Sequence, residues 1–398
     1  MAKLEYEDLS FEEHNDKIKV SFLNNYYFYL NKEDLEKIGK FSIQKNTINF
    51  DVPEKRAESR FNLLLSKGFN DLTNKLTGRK TVYIDRDSGI PLIGNNAFGL
   101  IDRNTSLIEV KPCTGCNLNC IYCSVDEGKI GKWVTDFLVE PNYLIAEFRT
   151  LVDFKGTEVE AHIGTHGEPF LYPKIIELIK GLSSTKNVKL ISLDTNGTLL
   201  TKRLIDDLSL AGLSRINLSI NALDEKLASK IAGTAYNLRH VLGMVRYSTK
   251  RMELLIAPIW LPGVNDNEIP KLIELSKDLG VTIGIQNFLN YKYGRNPVKA
   301  MDWEVFRDKM KRLEREYNAK LLFTEKDFGI KKTKGLPKPF KKGQVVKARV
   351  VCKGRLKNEK IAVTNNRNIA IPNCFKKGTI NVKITRDKHN IFFARCLG

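Results

Sequence analysis

No run of roughly 18 consecutive apolar residues occurs in this 398-residue chain, so no segment is expected to cross a membrane as a helix. A signal-peptide pattern is also missing. The seven cysteines are odd in number and four of them crowd between Cys113 and Cys123, which argues against a disulfide framework and for a reducing, cytoplasmic setting. Acidic residues are nearly absent from one place. Residues 331–398 carry 19 Lys and Arg against two acids, a net charge of +17, whereas the whole chain is +19. The positive excess is therefore local.

What the chain does have is a CxxxCxxC triplet, Cys116, Cys120 and Cys123, just after a strand-like segment. Three thiolates on one short loop can hold three irons of a [4Fe-4S] cluster and leave the fourth iron open. Closely spaced cysteines also make structural zinc sites, and Cys113 would complete a four-thiolate set. Zinc knuckles, however, pair two short-spaced couples across a longer gap, and this loop offers no distant pair. Cys113 itself reads as a small buried thiol beside the site rather than a ligand.

The CNLNCIYC loop resembles that of the radical SAM superfamily, in which an aromatic residue commonly precedes the third cysteine, as Tyr122 does here. The resemblance implies that Cys116, Cys120 and Cys123 bind a [4Fe-4S] cluster whose open iron takes S-adenosylmethionine. It also implies reductive cleavage of that cofactor to a carbon radical, fed by an external electron donor of the flavodoxin or ferredoxin type. Tyr122 would pack on the adenine or offer it backbone groups.

Strand-like and helix-like segments alternate downstream, the pattern of a parallel α/β barrel or half-barrel. Strands are expected at 107–111, 158–163, 188–193, 214–220, 253–259 and 281–286, with amphipathic stretches at 141–153, 173–183, 201–211, 223–232, 237–249 and 267–279. Six units match the radical SAM partial (β/α)6 barrel, where ligands sit at the carboxyl ends of strands. Gly164-Thr165-His166-Gly167-Glu168-Pro169 is similar to the family's GGEP motif, with His166 in place of a glycine. It implies that Gly167 and Glu168 bind the methionyl ammonium. Thr195, Asn196 and Gly197 resemble the TNG segment, which can contact a ligand or cap the next helix. Ser219 and Asn221 stand two apart on a strand and aim to one side; relatives place cofactor contacts there. Pro262-Gly263-Val264-Asn265-Asp266 resembles a PGxND turn, and Gln286 ends the sixth strand near adenine or substrate. His162 and His166 read as satisfied polar residues more readily than as metal ligands.

The basic tail opens with KKTKGLPKPFKKG and then shows strand-like runs at 344–351, 359–363, 367–371, 379–384 and 390–395, with turn-prone pairs between them. Five short strands suggest a small β-barrel of the oligonucleotide-binding kind. IPNCFKKGTINVKITRDKHNIFFARCLG resembles the second half of a TRAM domain, an RNA-binding barrel. Lys341, Lys342, Lys347, Arg349, Lys353, Arg355, Lys376, Lys377 and Arg386 are candidate phosphate contacts. Lys-rich surfaces also serve solubility, but that reading expects mixed charge. Cys352, Cys374 and Cys396 fit buried packing better than a second cluster.

The expected fold class is α/β, with an accessory α+β domain over 1–104, the partial barrel over 105–328, a basic linker over 329–340 and the small barrel over 341–398. The expected function is modification of a nucleotide in RNA, with transfer RNA the leading substrate. The alternative is a maturase acting on a protein or peptide docked by the basic barrel. A third possibility is a small-molecule enzyme with a tethering tail. No cysteine-bearing amino-terminal domain of the methylthiotransferase kind is present, which demotes that outcome.

Overall fold

A computed structural model of the chain describes residues 2–397. Six parallel strands form its central sheet in chain order: Leu107–Lys111, Val159–Ile163, Val188–Thr195, Arg215–Leu218, Glu253–Ile256 and Thr282–Ile283. Gly99–Asp102 adds an antiparallel strand beside the first. Neighbours in sequence are neighbours in the sheet, so it winds one way, as a barrel does. Ile108, Val110, Ala161, Ile163, Ile191, Leu193, Ile216 and Leu218 are all buried, which is why these strands read as apolar runs.

Helices Pro141–Lys155, Ile175–Ser183, Lys202–Ala211, Leu238–Ser248 and Glu268–Asp278 connect these strands, with Glu225–Ala232 an extra helix after the fourth. Their ends follow local chemistry. Glu140 accepts the Asn142 and Tyr143 amides ahead of Pro141, while Gly156, at φ 63°, stops the same helix. Two short parallel pairs prolong the sheet at its carboxyl edge: Thr114–Gly115 with His166–Gly167, and Ile259–Trp260 with Gln286–Asn287.

The amino-terminal region builds a six-stranded sheet ordered Thr135–Val139, Lys80–Ile84, Thr73–Asn74, Tyr26–Asn31, Lys17–Phe22 and Leu9–His14. Along strand Tyr26–Asn31, Tyr26 and Phe28 are buried, Phe28 against Gly68 and Phe69 of helix Glu54–Phe69, while Tyr29 on the other face is exposed. Thr135–Val139, however, comes from the connection between the first parallel strand and its helix. It pairs in parallel with Lys80–Ile84, so the region up to residue 104 and the parallel barrel share a sheet.

Residues 345–396 close into a five-stranded barrel, Val345–Lys353, Lys360–Thr364, Arg367–Ile371, Phe393–Cys396 and Thr379–Arg386, the last pairing back on the first. Closure leaves no exposed edge. Ala348, Ala362, Ile369, Val382, Ile384 and Phe392 fill it, with Phe340 stacked edge-on against Phe392 at 4.6 Å. The Lys/Pro/Gly stretch before it is an ordered strap rather than a free spacer. Ser106 N–H donates to the Lys331 carbonyl at 2.7 Å, and buried Lys155 binds both Asp102 at 2.7 Å and Thr333 at 2.8 Å. Asn368 and Phe392 amides donate to the Ile93 and Gly94 carbonyls, and a Cβ on Gly94 would meet the Asn368 carbonyl at 2.1 Å.

Candidate active site at the cysteine loop

The loop leaving the first parallel strand carries three half-buried free thiols, Cys116, Cys120 and Cys123. Backbone donors face two of them: Leu118 N–H lies 3.4 Å from Cys116 Sγ, and Glu127 N–H lies 3.2 Å from Cys123 Sγ. Such N–H groups disperse charge on a coordinating thiolate, so the donor set fits a cluster held by three sulfurs. Burial pushes the Cys120 thiol up to about 12 and raises Cys123 as well, so metal binding here would release protons. Cys113 turns the other way. It is buried, bridged to Leu138 of the amino-terminal sheet and set beside Tyr26 and Tyr172.

Glu168 lies over the same loop. Its backbone N–H donates to the Gly115 carbonyl at 3.0 Å, an approach that requires glycine at 167, since a Cβ there would stand 1.8 Å from the same carbonyl oxygen. The Glu168 carboxylate is buried and accepts the Thr195 hydroxyl at 2.7 Å, the Asn196 N–H at 2.9 Å and the Phe170 N–H at 3.2 Å. Burial pushes its carboxyl up to about 7 despite these donors, so it is poised for a cationic partner.

Tyr122, Asn196, Ser219 and Asn221 converge on one small cavity of about 20 Å³ that Cys120 also lines. Asn221 Nδ2 donates to the Tyr122 hydroxyl at 2.8 Å, while Asn221 Oδ1 accepts the Ile259 N–H at 2.8 Å. Asn265, from the PGVND turn, donates to the Asn221 and Ile259 carbonyls at 2.9 Å each, bracing that arrangement. Gln286 stands apart. It lines a larger cavity of about 590 Å³ at the edge of the fifth and sixth strands, which Tyr122 joins to the first.

Inside the half-barrel a polar layer crosses three strands. His162 Nδ1 lies 2.8 Å from Ser192 Oγ and its Nε2 lies 3.2 Å from Asp194 Oδ2, while Ser192 and Arg215 both donate to Glu160. Burial opposes charge on His162, yet Asp194 holds the imidazole above its usual range. His166 is pushed down to about 3 by burial and by Lys111, so it stays neutral. The two histidines share no ligand geometry; each has its own surroundings.

The basic residues of the small barrel divide into two groups. Lys341, Lys342, Lys347, Lys376 and Lys377 are exposed, and Arg386 is half-buried over the Phe393 ring. Arg349 and Lys353 are exposed but face the amino-terminal region: Arg349 reaches Gly89, and Lys353 lines a groove with Asp71, Asp85 and Asp87. Arg355 must be corrected. It is buried, ion-paired to Glu127 and to Asp136 at 3.0 Å, and stacked 4.9 Å from the Trp133 ring, so it has no face left for a phosphate. Cys352 lies on the first barrel strand, whereas Cys374 is buried beside Cys396.

Sequence reasoning missed several neighbours of the loop. Tyr236 donates its hydroxyl to the Asn196 carbonyl at 3.0 Å and lines the small cavity. Asn117, inside the triplet, accepts from Asn196 Nδ2 at 3.0 Å. Arg295 donates to Asp126 Oδ1 at 2.7 Å and to the Cys120 and Glu127 carbonyls at 3.0 and 2.6 Å. Only the position of Asn117 within the motif could have flagged it; Tyr236 and Arg295 arrive from distant segments.

Comparison with known proteins agrees with this geometry. Residues 110–276 match the family described as the radical SAM superfamily. The uncharacterized protein MJ0103 of Methanocaldococcus jannaschii is 41% identical over 88% of this chain and 90% of its own length. A GTP 3',8-cyclase of Nautilia profundicola is 28% identical over 58% of this chain and 73% of its own. Among solved structures, Streptococcus suis SuiB bound to S-adenosylmethionine aligns over 80% of this chain and 72% of its own at 16% identity, with a TM-score of 0.44. The chain belongs to the radical SAM superfamily, whose enzymes use a [4Fe-4S] cluster and S-adenosylmethionine with an electron donor.

Proposed function

We propose that this enzyme modifies a nucleotide in RNA, with transfer RNA the leading substrate and methylation or another carbon-centred change the outcome. The observation that carries the reading is the small barrel's one-signed surface. Its two acids are both engaged: Glu359 is buried and accepts the Leu356 N–H, and Asp387 accepts the Lys342 N–H and pairs with Lys338. Exposed Lys341, Lys342, Lys347, Lys376 and Lys377 are left with no acid of the barrel's own facing outward except half-buried Asp387. Such a face suits a phosphate chain, which it would bind by releasing counterions.

A second feature supports RNA over a small molecule. At the lip of the cysteine loop the Lys132 ammonium sits between two rings, 5.7 Å from Trp133 and 5.4 Å from Tyr293, and Tyr291 and Trp303 are exposed nearby on the larger cavity. Exposed rings such as Tyr291 and Trp303 stack unpaired bases with little regard to sequence, whereas the Trp133 ring already carries Arg355 at 4.9 Å.

At the centre, Cys116, Cys120 and Cys123 would hold the cluster, which when bound would supply the electron for reductive cleavage of S-adenosylmethionine. Glu168 would accept the methionyl ammonium, fixed in aim by Thr195 and Asn196. Tyr122, Ser219 and Asn221 would line the adenosyl side, and Gln286 would sit toward the substrate. Leu118, Ile231 and Ala232 exclude water from the wall between them. The test compares modified nucleosides by mass spectrometry in RNA from cells with and without the protein. Loss of one modified nucleoside is expected; identical nucleoside profiles would overturn the RNA reading.

A further inference from the structure

Two buried guanidiniums hold both ends of the cysteine loop. Arg79 precedes strand Lys80–Ile84 of the amino-terminal sheet, and Arg355 follows the first strand of the small barrel. They face Glu127 and Asp136, and all four side chains are at most 7% exposed. Asp136 takes Arg355 at 3.0 Å and Arg79 at 3.5 Å, and also accepts the Thr114 hydroxyl at 3.2 Å, where the loop begins. Glu127 takes Arg79 at 3.2 Å and the second arm of Arg355, and its own N–H lies 3.2 Å from Cys123 Sγ, where the triplet ends.

Four buried charges are tolerated only when they are matched, and here each of two guanidiniums contacts both carboxylates. Arg295 also holds this segment, at Asp126 and at the Glu127 carbonyl, and Asn119 accepts the Ile130 N–H, but only Arg79 and Arg355 engage the Glu127 side chain. An N–H aimed at a coordinating sulfur withdraws charge and raises the potential of a cluster. A contact chain therefore runs from the small barrel to a candidate cluster thiol through one carboxylate.

We propose that Arg355, although carried by the carboxyl-terminal barrel, is a positioning residue for the cluster: through Glu127 it fixes the N–H that faces Cys123 and so sets the potential at which the cluster takes its electron. The small barrel is then part of the cluster's seat as well as a docking module. The inference rests on Cys123 holding an iron.

Arg355→Lys and Glu127→Gln in the full chain test it by two measurements. Hydrogen exchange of the cluster-free protein reports on residues 123–134, and titration followed by electron paramagnetic resonance reports the midpoint potential after reconstitution. Both variants are expected to exchange at least about fivefold faster in that segment and to reduce at a lower potential. Lys357→Met, exposed two residues beyond Arg355, should alter neither. Undiminished protection of the segment in either variant, or an unmoved potential, overturns the proposal. If Arg355→Lys also loosens the barrel strands, Glu127→Gln decides alone, because it leaves the barrel's sequence intact. Failure of the unaltered protein to take up a cluster would overturn the reading of Cys123, while the exchange data would still decide whether Arg355 holds the loop.

Discussion

Thr195 Oγ1 donates to Glu168 Oε1 at 2.7 Å while the adjacent Asn196 N–H reaches Oε2 at 2.9 Å, so the ends of the second and third parallel strands close around one buried acid. Both carboxylate oxygens are thereby oriented before any ligand arrives. Preorganised acceptors of this kind favour a cation over a neutral group.

The first prediction concerns pH. Burial pushes the Glu168 carboxyl up to about 7, so below that pH a proton must leave before an ammonium binds. Affinity for S-adenosylmethionine should peak between about pH 7 and 8, fall by about tenfold per unit below pH 7 as Glu168 takes a proton, and fall again above about pH 8 as the ligand's α-ammonium loses one. Equilibrium dialysis across pH 5.5–8.5 measures this. Glu168→Gln should weaken binding by about 1.5–3 kcal/mol and flatten the profile below pH 7; a profile already flat there in the unaltered protein contradicts the assignment.

The second separates ligand from neighbour. Cys120→Ala should abolish iron retention after anaerobic reconstitution, whereas Cys113→Ala, buried against Leu138, should retain iron and lose only about 1 kcal/mol of stability. Equal iron loss in both would mean that the ligand set is misassigned.

The third tests a backbone contact. In Gly167→Ala the new Cβ would meet the Gly115 carbonyl at 1.8 Å at a φ of 134°, forcing apart the loops that carry the cysteines and Glu168. Destabilisation of at least about 2 kcal/mol in denaturant unfolding is expected. Unchanged stability would show that the two loops are not packed as described.

The fourth addresses the small barrel. Because Arg355 anchors that barrel internally, surface charge is a cleaner target than deletion. Replacing Lys341, Lys342, Lys376 and Lys377 with alanine should reduce the salt slope of RNA binding by about three while leaving iron content intact. An unaltered slope would remove these residues from the interface.

Much of this architecture is legible in the sequence because parallel strands buried on both faces leave continuous apolar runs. Leu107–Lys111 matches its expected limits, as does Arg367–Ile371 of the small barrel, where the Asn365-Asn366 turn marks the start, and helix ends follow visible signals such as Pro141 and Gly156. Thr135–Val139 was not legible: it sits in what reads as a loop, and its partner Lys80–Ile84 is more than fifty residues upstream. Arg355 misled for a different reason. A charge count registers the guanidinium but cannot register that Glu127 and Asp136, over two hundred residues away, already neutralise it. Gln286 lies beyond the sixth strand, in the short pair with Ile259–Trp260, and lines the larger cavity that shares only Tyr122 with the small one.

The central claim is that this loop seats a cluster that opens S-adenosylmethionine reductively. Anaerobic reconstitution with iron and sulfide, addition of dithionite and S-adenosylmethionine, and chromatography for 5'-deoxyadenosine test it most directly. The account predicts 5'-deoxyadenosine from the unaltered protein and none from Cys120→Ala. Intact S-adenosylmethionine with the unaltered, iron-loaded protein would contradict it.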